Sequence, residues 1–278
     1  MAMYSHSKLS TFEQCKLKYK FKYIDKIEVE VEETIESFLG GVVHSVLEWL
    51  YKLKIEEGKT ATIDELIVYF SDLWREGFSP NFLIVKSHLT DKSYFEMGIR
   101  FLLDYYIKHQ PFDDGTLETE KKIIMPLDET EEHHIIGFID RFVHNKKLNR
   151  FEIHDYKTGN SLPSRERFEQ DRQLALYSYA IKRTYGFDKE VKLIWHYLAY
   201  NQEIHSSRTN KQLEELIQRI KKLIKEIENE RYFPFSKSAL CDWCEYKSIC
   251  PAWGNSPKKI EKYDKIDKYP TLLKYMKE

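Results

Sequence analysis

Between Leu117 and Gly159 the hydrophobic period of this chain falls to two, and it does so in three consecutive runs. "LETEKKIIMPL", "HHIIGFIDRFVH" and "RFEIHDYKTG" each read as a strand and are parted by polar turns, the pattern of a β-meander. Three successive strands commit the chain to a sheet, and helical spacing surrounds them. "SFLGGVVHSVLEWLYKLKIEE" sets Val43, Leu47 and Leu50 on one stripe, and two more periodic segments cover 63–76 and 91–109. A helix at 167–184, a strand at 190–200 and an amphipathic helix at 210–230 follow the meander. A short first helix is predicted from Ser10, whose spacing to Glu13 fits a capping box. The order predicts an α/β fold: a mixed central β-sheet flanked by helices, with a helical lobe inserted near the N-terminus. One domain is expected over residues 1–278. Its parts are an N-terminal segment 1–36, a helical lobe 37–115, a sheet core 116–235, and a C-terminal segment and tail 236–278, in which "DKYPTLLKYMKE" could dock on the core or on another chain.

Composition removes several classes. A chain of 278 residues can bury a sizeable core. Net charge is −1 with 32% charged residues, so the overall balance gives no sign of a polyanion partner and nucleic-acid binding must come from local patches. No stretch approaches the roughly 20 apolar residues of a membrane span, and the start "MAMYSHSKLS" lacks the apolar region of a secretory signal, which predicts a soluble cytoplasmic protein. The phosphate-binding pattern GxxxxGK[ST] is absent. The four cysteines are too few for a disulfide scaffold, and three of them crowd into ten residues, which points to metal.

The chemistry gathers at the ends of two strands. In "HHIIGFIDRFVH" alternation puts Ile136, Phe138 and Asp140 on one face; in "RFEIHDYKTG" it puts Phe151, Ile153, Asp155 and Lys157 on one face. If the two runs pair antiparallel, Asp140 and Asp155 converge, and two close carboxylates repel unless a cation sits between them. Hard oxygen ligands suit Mg²⁺ or Mn²⁺. Lys157 could then orient or deprotonate a water, or stabilise charge on a phosphate. The plain alternative is a surface ion pair beside a solvated turn. Glu120, with Glu118 on the same face of the preceding strand, could support a second metal, although an exposed strand glutamate is the simpler reading. His133, His134 and His154 carry no supporting pattern.

"GFIDRF", "HDYKTG" and the following "QLALYSYA" together resemble the PD-(D/E)XK nuclease superfamily, specifically its RecB-like branch. That branch has a helix histidine before the sheet, matched by His44 in "GGVVHSVLE", and a QxxxY motif after it, matched by Gln173 and Tyr177. The resemblance implies a restriction-endonuclease-like core and a metal held by His44, Asp140, Asp155 and the main-chain carbonyl of Tyr156. It also implies a catalytic Lys157, with Gln173 and Tyr177 placing the DNA backbone. Ile139 stands where the nominal motif has proline, and the third acid is Asp; neither change removes a ligand.

"CDWCEYKSICPAW" supplies Cys241, Cys244 and Cys250, and Cys15 lies over 220 residues upstream. Four thiolates can hold a tetrahedral Zn²⁺ or a [4Fe–4S] cluster, and spacing alone leaves both open. The one-plus-three division resembles the iron–sulfur nucleases of the AddB and CRISPR-associated exonuclease types, which implies a cluster tying the two ends of the chain; Lys16 stands where that family often has proline. Lys16, Lys18, Lys20 and Lys22, interleaved with Tyr19, Phe21 and Tyr23, and Arg165, Arg167 and Arg172 after the third strand, are candidate contacts to a single strand; a solvated helix face is the other reading. The basic run in "QRIKKLIKEIE" reads as solvent-facing.

The reading is therefore a metal-dependent DNA nuclease, in the first place an exonuclease acting at single-stranded DNA ends in DNA repair or CRISPR adaptation. DNA-processing proteins are possible partners, and no membrane is involved. The rivals are a DNA-binding accessory subunit with dispensable catalysis, and a zinc-stapled structural protein.

Overall fold

The computed structural model describes residues 2–29 and 33–255; the tail segment "DKYPTLLKYMKE" lies outside them. In chain order the elements are β1 (Ala2–Tyr4), α1 (His6–Gln14), α2 (Lys16–Tyr19) running into a π-helical turn (Lys20–Ile24), α3 (Ile35–Glu57), α4 (Ile63–Gly77), α5 (Asp91–His109), β2 (Thr116–Pro126), β3 (His133–Asn145), β4 (Arg150–Lys157), α6 (Arg165–Glu169), α7 (Gln173–Tyr185), β5 (Glu190–Tyr197), β6 (Gln202–Ser207) and α8 (Asn210–Asn229). Short 3₁₀ turns follow at Ala239–Trp243, Lys247–Ile249 and Pro251–Trp253. Contacts divide the chain into two units, one of Met1–Leu9 with Glu32–Asn229, the other of Ser10–Val31 with Glu230–Glu278.

The first unit holds a six-stranded mixed sheet in the order β1-β3-β4-β5-β6, with β2 on the other side of β3. β2–β3, β3–β4 and β5–β6 pair antiparallel, whereas β1–β3 and β4–β5 are parallel. The helical lobe owes its boundaries to local chemistry. Thr34 accepts from Ser37 N at the start of α3, and Gly58 closes that helix in the left-handed conformation. Thr62 with Glu65, and Thr90 with Ser93, form the capping boxes of α4 and α5. Leu39, Val43 and Leu50 of α3, Leu66 and Phe70 of α4, and Phe101 and Leu102 of α5 share one core, to which Tyr156 of β4 also belongs. Gly98 allows the tight approach: a Cβ there would lie 2.4 Å from a Phe70 ring carbon. In α8, Leu213, Ile217, Ile220, Ile224 and Ile227 bury one stripe while Arg219, Lys222 and Lys225 stay exposed.

Local details depart from the sequence reading. The first helix begins at His6, with the Ser5 hydroxyl accepting from Lys8 N at 3.1 Å, so Ser10 lies inside the helix and is not its cap. The helix expected over 167–184 is two: Asp171 accepts from Leu174 N at 2.9 Å and starts α7 anew. Strands β1 and β6 have too little alternation to show in the sequence, and β6 follows β5 through a turn whose Asn201 adopts φ 49°.

In the second unit the segment around α2 meets the segment that follows α8. Lys16 pairs with Glu230 at 2.7 Å and Lys18 with Glu245 at 2.6 Å, and Phe21 packs on Tyr246 with ring centroids 5.5 Å apart. These contacts revise the expected single-strand surface. Lys20 pairs with Asp25 and Lys22 with Glu245, so all four lysines face acids, and Tyr19 and Phe21 are buried and cannot stack on a base. No helix among the described residues is long and apolar enough to cross a membrane.

Candidate active site

The register of β3 on β4 sets the site. Phe142 lies opposite Ile153 and Arg141 opposite His154, so the next position along places Asp140 opposite Asp155. There a side chain replaces the backbone ladder, and Tyr156 N donates to Asp140 Oδ2 at 2.8 Å. From α3, His44 brings Nε2 to 2.9 Å from the Tyr156 carbonyl oxygen and Nδ1 to 3.5 Å from Asp140 Oδ2. A carbonyl can only accept, so Nε2 carries the hydrogen, and in the neutral imidazole Nδ1 then turns a lone pair toward a carboxylate. Two acceptors facing each other define a place for a cation.

Glu120 completes this corner. Thr119 and Lys121 of β2 lie opposite Arg141 and Ile139, which puts Glu120 level with Asp140, and its φ of 46° is a left-handed conformation that a non-glycine residue adopts only under constraint. A ligand atom from each of His44, Glu120 and Asp140 lies within 4.8 Å of the others. Alternation does not show Glu120 beside His44, because the residue leaves the regular strand conformation that alternation assumes.

Crowded acids leave an electrostatic mark. Burial pushes the Asp155 carboxyl up to about 6; the Lys157 ammonium opposes this and Asp140 adds to it. Glu120 is pushed up to about 7 by burial first, then by Asp140 and Glu48. Lys157 Nζ lies 2.7 Å from Asp155 Oδ2; burial alone would lower its pKa, but Asp155 and Asp140 outweigh that and raise it, so it is an ammonium. The donor set fits a hard divalent ion. On an octahedron with bonds of about 2.1 Å, neighbouring ligand atoms stand about 3.0 Å apart, against 3.5 Å between His44 Nδ1 and Asp140 Oδ2.

Gln173 and Tyr177 lie one turn apart on α7, and Gln173 Nε2 donates to the Tyr177 hydroxyl at 3.4 Å. The Tyr177 ring rests on Gly137 of β3, where a Cβ would sit 2.2 Å from a ring carbon, and Tyr177 is only 6% exposed. Tyr177 thus fixes the start of α7 against β3, and Gln173 is the more accessible of the two.

The cysteines belong to the second unit. Cys15 occupies the break between α1 and α2, and Cys241, Cys244 and Cys250 lie in or beside the 3₁₀ turns. All four are free thiols and partly exposed. Burial chiefly raises the pKa of Cys244, and Cys15 is near enough to add to the rise. Among the described residues no three of the thiols have sulfurs within 4.8 Å of one another.

A strand pair ending in facing aspartates, followed by lysine and backed by a helix histidine, agrees with what whole-chain comparison finds. The model of the PD-(D/E)XK nuclease superfamily matches residues 3–251. The chain belongs to that superfamily. Among solved structures, one named "Putative exonuclease" from Eubacterium rectale is 13% identical, with 88% of each chain covered and a TM-score of 0.51, a likeness of fold. The crystal structure of SSO0001 is 16% identical, covering 85% of this chain and 94% of that one, with a TM-score of 0.39. No curated protein matches the chain.

Proposed function

We propose that the protein is a divalent-metal-dependent deoxyribonuclease of the RecB-like branch that degrades DNA from single-stranded ends, in DNA repair or CRISPR adaptation. The observation that carries the reading is the meeting of Asp140, His44 and the Tyr156 carbonyl at the end of the β3–β4 ladder, next to the Asp155–Lys157 ion pair. These groups together with Asp155 would hold the ion, with Glu120 beside them. A bound Mg²⁺ or Mn²⁺ supplies a water of lowered pKa and positive charge for the phosphate. Lys157, as an ammonium tied to Asp155, stabilises negative charge developing on the scissile phosphate and does not act as a base in that state. Gln173 offers its amide to the DNA backbone, and Tyr177 holds Gln173 in place.

Cys15, Cys241, Cys244 and Cys250 would hold a [4Fe–4S] cluster, with zinc the other occupant of such a set. Support comes from the two cysteine-bearing segments folding into one unit. Such a cluster is structural, and its binding free energy adds to folding.

The test is incubation of anaerobically purified protein with end-labelled single- and double-stranded DNA in Mg²⁺, Mn²⁺ or EDTA. Shortening of the single strand with either ion, abolished by EDTA, is the expected result. Intact DNA under every condition, from protein that binds Mn²⁺, would leave a binding subunit. Iron analysis of the same sample should give about four irons per chain, and one zinc without iron would replace the cluster.

A further inference from the structure

A second polar cluster lies on the opposite face of the central strands. His154 and Tyr156 alternate with Asp155 along β4, and Tyr156 stands beside His196 in the parallel β4–β5 register. His109, the last residue of α5, stacks on Tyr105 with ring centroids 4.1 Å apart, and Glu203 reaches in from β6. His109 Nε2 lies 3.3 Å and His196 Nδ1 3.9 Å from Glu203 Oε1. A ligand atom from each of the three lies within 4.8 Å of the others.

The Arg141 guanidinium only donates, and its Nη2 lies 2.6 Å from His154 Nδ1, so that nitrogen is an acceptor. His196 Nε2 lies 2.8 Å from the same nitrogen, where a bare lone pair would face another, so it carries a hydrogen and shares the single His154 lone pair with Arg141. A neutral His196 then turns the bare lone pair of Nδ1 toward the Glu203 carboxylate, a second acceptor. The Nε2 atom of His109 is buried and has no hydrogen-bond partner.

We propose that His109, His196 and Glu203 form a second metal site, for a transition ion of the zinc class, pinning the end of α5 to β5 and β6. Two imidazoles and one carboxylate suit such an ion and differ from the oxygen-rich set around Asp140. Tetrahedral bonds of about 2.0–2.1 Å space ligand atoms about 3.3 Å apart, against 3.3 and 3.9 Å from Glu203 Oε1 to His109 Nε2 and His196 Nδ1. The outer partners are those of a metal-bound imidazole: His196 is held through Nε2 by His154, which Arg141 fixes on one side while Glu152 Oε2 lies 3.4 Å from its Nε2 on the other. Lys108 Nζ is the competitor, 2.9 Å from Glu203 Oε1. Its side chain is partly exposed, so it can leave for water when an ion arrives.

The test is zinc titration of the full chain by calorimetry, with melting curves, for the wild type, Glu203→Gln, His109→Gln and Lys108→Ala. The wild type should bind one zinc more than Glu203→Gln or His109→Gln, and the part of the zinc-induced rise in melting temperature due to this site should vanish in both. Asp140→Asn should keep that zinc, which separates it from the active-site ion. Lys108→Ala should bind it about fivefold more tightly, the factor matching removal of an exposed ion pair. Should the glutamine variants fail to fold, the Lys108→Ala titration decides alone, because loss of a competitor strengthens binding and loss of a merely structural ion pair does not. Equal zinc stoichiometry and affinity in all four proteins would overturn the site and leave an ion-paired network.

Discussion

The two faces of β4 carry polar clusters built on opposite principles. On one, Asp140, Asp155 and Glu120 are crowded, and two of the three hold protons above the ordinary carboxylate range. On the other, Arg141 is almost fully buried, yet it meets Asp114, the Tyr156 hydroxyl at 3.0 Å and His154, and lies 4.3 Å from the Tyr51 ring centroid. The first face crowds like charges that the Lys157 ammonium only partly offsets, which costs stability and would favour a cation. The second satisfies a buried charge, and removing any member exposes that charge to an apolar surrounding. Asp140 and Arg141 are consecutive residues, so neighbours in sequence should give opposite phenotypes when changed.

The largest expected effect is on the crowded face. Asp155→Ala should lower cleavage about 10³-fold or more, since an ion that stabilises the transition state by several kcal/mol loses a ligand. Its melting temperature should hold or rise as repulsion is removed. Cleavage near the wild-type rate under matched Mn²⁺ would break the assignment. Arg141→Met should do the reverse, costing about 3–5 kcal/mol in denaturant unfolding while the folded fraction still binds Mn²⁺. A stability change under 1 kcal/mol would mean that the second face is less closed than its hydrogen bonds indicate.

Gly137→Ala should act on both properties at a smaller scale. The new methyl forces the Tyr177 ring from its seat, a loss of about 1–3 kcal/mol for overpacking, and Gln173 moves with it. Combined with Tyr177→Ala the penalty should be less than additive, and strict additivity would show that the two do not touch. The mildest change is Glu120→Gln. Because the folded carboxyl titrates near 7, above its ordinary value, its contribution to stability is full at pH below that ordinary value and is lost as pH rises through 7. A cation replaces the departing proton. Wild-type Mn²⁺ affinity should therefore climb as pH rises through about 6 and again through about 7, while the variant lacks the upper step and binds about tenfold more weakly in mild alkali. Superimposable profiles would place Glu120 outside the site.

What could be read in the sequence follows the same division. Asp140, Asp155 and Lys157 share two consecutive strands, and a period of two states which face each occupies; pairing brings them together without further information. His44 and the Gln173–Tyr177 pair lie on helices that the spacing shows, but their place in the site comes only from the resemblance to the nuclease family. Glu120 was legible as a strand residue but not as a neighbour of His44, because a left-handed φ at one position turns its side chain off the expected course. The cluster of His109, His196 and Glu203 comes from a helix end, a buried strand and an edge strand, and β6 itself was not read. No spacing in the sequence relates such residues; only the tertiary packing does. The lysines after Cys15 show the opposite error: a basic run looks free in sequence because its acidic partners, Glu230 and Glu245, lie more than 200 residues away.

Since successive side chains of β4 serve different faces, insertions and deletions divide sharply between strand and turn. One residue added between Arg150 and Asp155 would move Asp155 to the side now held by His154 and carry His154 to the side of Asp140, emptying both clusters at once. The β3–β4 turn at 146–149 lies before that register is set, and its exposed Lys146, Lys147 and Leu148 can absorb added length as a larger loop. Length variation tolerated at the turn and lethal a few residues later is the mark that a two-sided strand should leave on any library of random single-codon insertions.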